Sequence, residues 1–227
     1  MRLFADDLSI DHEGFALVQH PTNVIDLYDD AQVQAKYHPE IQGLLKRELG
    51  AGRVVIFDTT RRSDDGQGAA NAEGRRGPAS RIHVDYTEKS GPVRLADVVG
   101  GEEAQRLAAS GTRGAQVNVW RPINGPVERS PLTLADAASI NADDLIATDQ
   151  VFADRVGEIY HLAHAPGQRW YYASEMDRNE ALLIKGWDSR DDGRARFTPH
   201  TAFDLPGTSA DAPACERIEV RTFVVFD

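Results

Sequence analysis

Arg81-Ile-His-Val-Asp-Tyr-Thr87 reads as a β-strand that carries His83 and Asp85 two positions apart. Alternate side chains of a strand project from one face, so an imidazole and a carboxylate at this spacing can converge on one metal ion with an unstrained backbone. His-x-Asp is short, and a chain with seven histidines can contain it by chance, so its weight rests on partners elsewhere in the chain. His200, in Thr198-Pro-His-Thr-Ala-Phe203, supplies a second imidazole. The closing segment, Glu216 to Phe226, places Arg217, Glu219 and Arg221 on one strand face. Two histidines and one carboxylate that leave coordination positions open are the donor set of non-haem iron(II) and dioxygen chemistry. A guanidinium on a neighbouring strand suits the distal carboxylate of a 2-oxo acid, which it can hold bidentately.

His161 and His164 are a rival pair. Three residues apart on a strand they point to opposite faces, so they share an ion only if that segment bends or is helical. His12, His20 and His38 lie among turn and helix signals and have no matching partner.

Outward from this centre, the chain reads as mainly β with flanking helices. Phe15 to Val18 and Val24-Ile25 look like short strands. From Asp29 or Asp30, apolar residues at Val33, Tyr37, Ile41, Leu44, Leu45 and Leu49 recur at helical steps and end at Gly50, with Pro39 expected to kink the helix or to divide it into two pieces. Arg53 to Phe57 is an expected buried strand. Residues 61–80 hold four Gly, one Pro and several Arg with little apolar content, which predicts a lid loop without regular structure. Gly101 to Ala109 reads as a short helix. Strands are then expected at Ala115–Trp120, Asp144–Ala147, Glu158–Leu162, Arg169–Ala173, Ala181–Trp187 and Arg217–Phe226. Such a run of strands suggests a barrel or jelly roll in a single domain, residues 1–227.

Composition narrows the function classes. A net charge of -11 disfavours a nucleic-acid surface. No apolar run approaches the roughly 20 residues of a membrane span, and Met-Arg-Leu-Phe-Ala-Asp-Asp lacks the pattern of a signal peptide, so a cytoplasmic protein is expected. The single cysteine, Cys215, has no intramolecular disulfide partner.

Several blocks succeed one another in a familiar order: His83-Val-Asp85-Tyr-Thr, Asn118-Val-Trp-Arg-Pro-Ile123, Pro131-Leu-Thr-Leu-Ala-Asp136, Trp170-Tyr-Tyr-Ala-Ser-Glu-Met176, Glu180 to Ser189, Pro199-His-Thr-Ala-Phe203 and Arg217-Ile-Glu-Val-Arg221. From about Tyr37 onward the chain resembles the family of hydroxylases and desaturases that includes the fungal AsaB-like proteins, the gibberellin desaturase-like proteins and the smaller subunit of bacterial cephem 7-methoxylase. The resemblance implies a double-stranded β-helix (jelly-roll) core, iron(II), 2-oxoglutarate and O2 as cosubstrates, and a small secondary-metabolite intermediate as substrate. His83, Asp85 and His200 are then the expected metal ligands and catalytic centre. Arg217 and Arg221 are alternative cosubstrate anchors, because the family's Arg-x-Ser-Ile-Glu-x-Arg pattern is here Cys215-Glu-Arg217-Ile-Glu219. Asn118 and Lys185 are further candidates for the cosubstrate, and Tyr86, Trp120 and Arg121 for the substrate. The expected partner is a small molecule, with neither nucleic acid nor membrane, and a homodimer is compatible with the sequence. Two other classes stay open: a non-catalytic partner subunit of a two-component enzyme, and a cupin-like metal isomerase. Neither needs a carboxylate anchor on the last strand.

Overall fold

The computed structural model describes residues 1–151 and 156–226. In chain order the elements are β1 (Phe15–Gln19), α1 (Asp30–Gln32), α2 (His38–Leu49), β2 (Arg53–Ser63), β3 (Ala69–Asn71), β4 (Gly74–Arg76), β5 (His83–Val84), α3 (Ser90–Val99) and α4 (Gly101–Ser110). There follow β6 (Gly114–Pro122), β7 (Leu132–Ala135), β8 (Leu145–Val151), β9 (Val156–Leu162), β10 (Trp170–Tyr172), β11 (Glu180–Asp188), β12 (His200–Ala202) and β13 (Glu216–Val225), with short 3-10 turns between some of them. The described chain is mostly strand with flanking helices. One sheet has the order β1-β11-β6-β13-β2 and the other β10-β7-β12-β5-β9-β8, and neighbours pair antiparallel throughout.

β6 shows why the layers stack as they do. All nine of its residues are buried, because both of its faces are covered. Val117 and Val119 pack with Ile41, Leu44 and Leu45 of α2 on the outer side, in a cluster that also takes in Leu183 and Val220. Trp120 points to the other side, where it joins Phe15, Ile184, Leu132 and Leu134 and so seals the space between the two sheets. Each large aliphatic side chain buried there stabilises the fold by about 1.5–3 kcal/mol relative to exposure.

The apolar periodicity from Val33 to Leu49 corresponds to a continuous helical segment. Asp29 caps it by accepting from the amides of Ala31 and Gln32, and Gly50 ends it at φ 67°. Pro39 lies in the first turn of α2, directly after a π-helical stretch at Val33–Tyr37 that divides the segment into α1 and α2.

Two sequence expectations are corrected, and one helix is unexpected. Val24-Ile25 is not a strand; Val24 instead packs its side chain into the α2 cluster. Residues 61–80 are not devoid of regular structure, since Arg61 and Arg62 extend β2 and β3 pairs with β4 as a hairpin. Polar groups take the place of an apolar core there. The Asn71 amide spans the Arg61 backbone, accepting from its N–H and donating to its carbonyl, and Asp65 accepts from the amides of Gln67 and Gly68. Helix α3 has no counterpart among the sequence expectations, because it begins Ser90-Gly91-Pro92, where Gly and Pro mask the helical pattern.

Gly91 also fixes how α3 docks beside the site. A Cβ at this position would lie 2.4 Å from the Trp187 ring, which is buried at 3% exposure. Helix propensity alone makes Gly91→Ala stabilising by roughly 1 kcal/mol, but overpacking opposes it by about 1–3 kcal/mol. Gly91→Ala is therefore expected to lower the midpoint of thermal or urea unfolding. An unchanged or raised midpoint would show that α3 docks more loosely than this contact requires.

Candidate metal centre

β12 lies between β5 and β7, and His200 is the direct antiparallel partner of His83. The cross-strand pairing places the two imidazoles side by side, with ring centroids 4.6 Å apart. Each Nδ1–H donates to the carbonyl two residues upstream, His83 to Arg81 at 2.9 Å and His200 to Thr198 at 3.0 Å. These bonds select the tautomer that leaves Nε2 bare, the form in which imidazole ligates metal.

Asp85, beyond the end of β5, completes the set. Its Oδ1 lies 3.8 Å from His83 Nε2, and one ligand atom from each of His83, Asp85 and His200 falls within 4.8 Å of the others. The second carboxylate oxygen accepts from Asn118 Nδ2 at 2.5 Å across the two sheets, and Asn118 Oδ1 in turn accepts from Gln116 Nε2. Gln116 and Asn118 are two apart on β6, so they share the face that looks onto the other sheet. Asn118 is thus a support for Asp85.

The electrostatics suit a divalent ion. Burial and the adjacent His200 push His83 down to about 4, so it is a neutral donor at neutral pH. Burial alone would raise Asp85, but Arg221, the two histidines and the Asn118 bond outweigh it and hold the carboxyl well below the usual carboxylate range. Two imidazoles and one carboxylate at this spacing fit iron(II) and leave its remaining positions for other ligands. His161 stands opposite His83 on β9, but its Nδ1–H donates to the Ile82 carbonyl at 3.0 Å, and it is not in the cluster.

Two spaces adjoin the three side chains. A cavity of about 960 Å³ is lined by His83, Asp85, Tyr86, Phe57, Ile159 and residues of α3, β9 and the hairpin. On the other side is a niche of only about 20 Å³, lined by His83, His200, Trp120, Thr60, Arg217 and Glu219 among others. Arg62 and Arg221 line both. Arg217 is 3% exposed, and its one polar side-chain contact among the described residues is Cys215 Sγ at 3.8 Å. Arg221 is occupied: its Nε donates to Glu219 at 2.9 Å, and Asp58 and Asp85 lie 3.6 and 3.7 Å away. Tyr86 packs on Phe223, and burial together with Asp85 pushes its phenol up to about 12.

Two candidates are moved out of the site. Lys185 is fully buried in an ion-pair network with Asp11 and Asp188, which Arg113 also joins. Arg121, two residues after Val119, follows it to the outer face of β6 and donates to Tyr37 Oη at 2.9 Å and to the Arg178 carbonyl. Both residues lie on strands that supply site-facing side chains, and strand parity decides against them. Sequence reasoning misses Thr60 and assigns Arg62 to the loop rather than to a strand that faces the site. Their signal is the alternation Asp58, Thr60, Arg62, legible only once β2 is carried through to Ser63.

A family described as "Oxidoreductase/YMDC permease-like domain" matches residues 1–225, although no helix among the described residues is long and apolar enough to cross a membrane. The hydroxylase/desaturase efuI of Hormonema carpetanum is 30% identical, over 97% of this chain and 80% of its own length. The alpha-ketoglutarate-dependent dioxygenase phiK of a fungal species is 31% identical over 97% and 80%. Among solved structures, the iron and alpha-ketoglutarate-dependent endoperoxidase NvfI superposes with a TM-score of 0.86 at 29% identity, covering 98% of this chain and 82% of that one. Relatives thus match along almost the whole chain, which belongs to the family of hydroxylases and desaturases that includes the AsaB-like proteins.

Proposed function

We propose that this chain is an Fe(II)- and 2-oxoglutarate-dependent oxygenase that hydroxylates or desaturates a small secondary-metabolite intermediate, built as one jelly-roll domain. The observation that carries the reading is the set of three donor atoms within 4.8 Å, with both histidine tautomers fixed by Nδ1–H bonds to backbone carbonyls. The two facing antiparallel sheets that share one core between them support the jelly-roll and single-domain parts of the proposal.

His83, Asp85 and His200 would hold iron(II). The chemistry supplied there is the use of one O2 to convert 2-oxoglutarate to succinate and carbon dioxide, with the other oxygen atom going to the substrate as a hydroxyl or to water in a desaturation. Asn118 keeps one Asp85 oxygen engaged, so that the other faces the metal position. Arg217, buried and free of carboxylate contacts within 4 Å among the described residues, is placed to receive the distal carboxylate of the cosubstrate, in preference to the already paired Arg221. The larger cavity, with Tyr86, Phe57 and Ile159 on its walls, would orient the substrate and limit water at the reacting carbon. The β3–β4 hairpin, whose Glu73 and Arg76 line that cavity, would cover it.

Incubation with iron(II), ascorbate, O2 and 2-oxoglutarate, with intermediates screened as substrates, should release succinate in step with a product gaining about sixteen mass units or losing about two. His83→Ala, Asp85→Ala and His200→Ala should each remain folded yet lose stoichiometric iron(II) binding, whereas His161→Ala should bind as the parent does. Tight iron binding by His200→Ala would contradict the ligand set. Succinate formed only after a second enzyme is added would favour a partner-subunit role. For the hairpin, substrate should slow protease cleavage at the Asn71–Gly74 turn; equal cleavage with and without a turned-over substrate would remove its role as a cover.

A further inference from the structure

Two buried amides behind Asp85 can be ordered in one direction only. Asp85 Oδ1 faces His83 Nε2, and Oδ2 accepts from Asn118 Nδ2. A carboxylate that ligates a metal is ionised and can only accept, so Asn118 must turn its amide nitrogen to Asp85 and its carbonyl the other way. Gln116 therefore has to donate through Nε2 to Asn118 Oδ1, which leaves Gln116 Oε1 at the end of the row. That oxygen is buried and has no hydrogen-bond partner among the described residues, although buried polar groups are almost always paired.

The neighbouring strand makes room for this arrangement. β11 pairs with β6 as far as Lys185 opposite Val117 and resumes with Trp187 opposite Gln116, so Gly186 is the extra residue of a bulge. A Cβ on Gly186 would lie 2.0 Å from Gln116 Oε1 and 3.7 Å from Asp85 Cβ. The Gln116 amide thus rests against the bare Cα of the bulge, and any side chain there would displace it. Trp187, the cross-strand partner of Gln116, has an unpaired Nε1–H of its own, but that atom lies against Gly91. Stability alone gives little reason for a glutamine at 116. An apolar side chain of equal length would trade the unpaired Oε1 for an unpaired Asn118 Oδ1 and leave their number at one.

We propose that Gln116, seated on the Gly186 bulge, is a positioning residue for the metal centre. It locks the Asn118 amide and through it keeps Asp85 Oδ2 turned from the metal position, so that Asp85 offers one oxygen and room is kept for the 2-oxo acid. The inference rests on the oxygenase reading and deepens it. Without the bond from Gln116, the Asn118 amide is held at one end only and can rotate, which frees the second carboxylate oxygen to compete with an incoming ligand.

The test is anaerobic calorimetric titration, first with iron(II) and then of the iron(II) protein with 2-oxoglutarate, alongside thermal unfolding of the metal-free protein. Gln116→Met is expected to unfold near the parent midpoint and to bind iron(II) within about threefold of the parent, yet to bind 2-oxoglutarate about tenfold more weakly. Gly186→Ala, which removes no polar group and pushes Gln116 Oε1 from behind, should weaken 2-oxoglutarate in the same direction. Unchanged 2-oxoglutarate affinity in Gln116→Met overturns the proposal. So does a parallel loss of iron(II) and 2-oxoglutarate with a lowered midpoint, which would mark general structural support. An effect in Gln116→Met with none in Gly186→Ala removes the part assigned to the bulge. If the parent itself fails to bind 2-oxoglutarate, the oxygenase reading falls as well; if it binds and the variants match it, only the positioning role does.

Discussion

The site depends on one antiparallel register, His200 opposite His83. A shift of one residue between β12 and β5 would turn one imidazole to the far face of the sheet and leave a lone histidine beside Asp85. β5 and β12 are only two and three residues long, so their own ladder cannot fix that register. Their neighbours fix it instead. β12 is paired to β7 through three positions and β5 to β9 through two, and the backbone carbonyls of Arg81 and Thr198 then orient the rings. A second constraint acts between the sheets, where Asn118 on the central strand β6 reaches Asp85 on the opposite layer. The core that packs the two layers is therefore also what sets the height of the carboxylate above the histidines.

Buried charge is distributed in a consistent way around this centre. On the outer side of the sheet and at its end, arginines and lysines are matched with partners: Lys185 with Asp11 and Asp188, and Arg121 with Tyr37 and the Arg178 carbonyl. Such groups hold segments together and offer nothing to a ligand. On the inner face near the histidines the matching is incomplete, with Arg62 and Arg217 lacking carboxylates within 4 Å and Thr60 lacking a hydrogen-bond partner among the described residues. An unmatched buried cation carries a cost of about several kcal/mol, the kind of cost that concentrates at functional sites.

Much of this is legible in the sequence, for physical reasons that differ between elements. Helix α2 announces itself by its apolar period and its Gly50 cap, and β6, β11 and β13 by long runs of β-branched and apolar residues that two covered faces require. β7 and β12 do not, because three or four residues carry little propensity and owe their strand state to pairing partners distant in the chain. The β3–β4 hairpin is held by Asn71 and Asp65 side chains, so its lack of apolar residues is misleading. The nearness of His83, Asp85 and His200 follows from residue type and order. The faces of Lys185 and Arg121 do not, since which parity of β11 and of β6 looks onto the opposite sheet is decided by packing against α2 and the other layer.

The oxygenase reading requires that His83, Asp85 and His200 hold iron(II) with free positions that accept a 2-oxo acid through two oxygens. The visible absorption spectrum of the anaerobic iron(II) protein, recorded on addition of 2-oxoglutarate, measures this without any need to know the substrate. A weak charge-transfer band that saturates at one equivalent, and is absent from His200→Ala, is the expected result. A parent protein that binds iron(II) at one equivalent yet develops no band at saturating 2-oxoglutarate would contradict it.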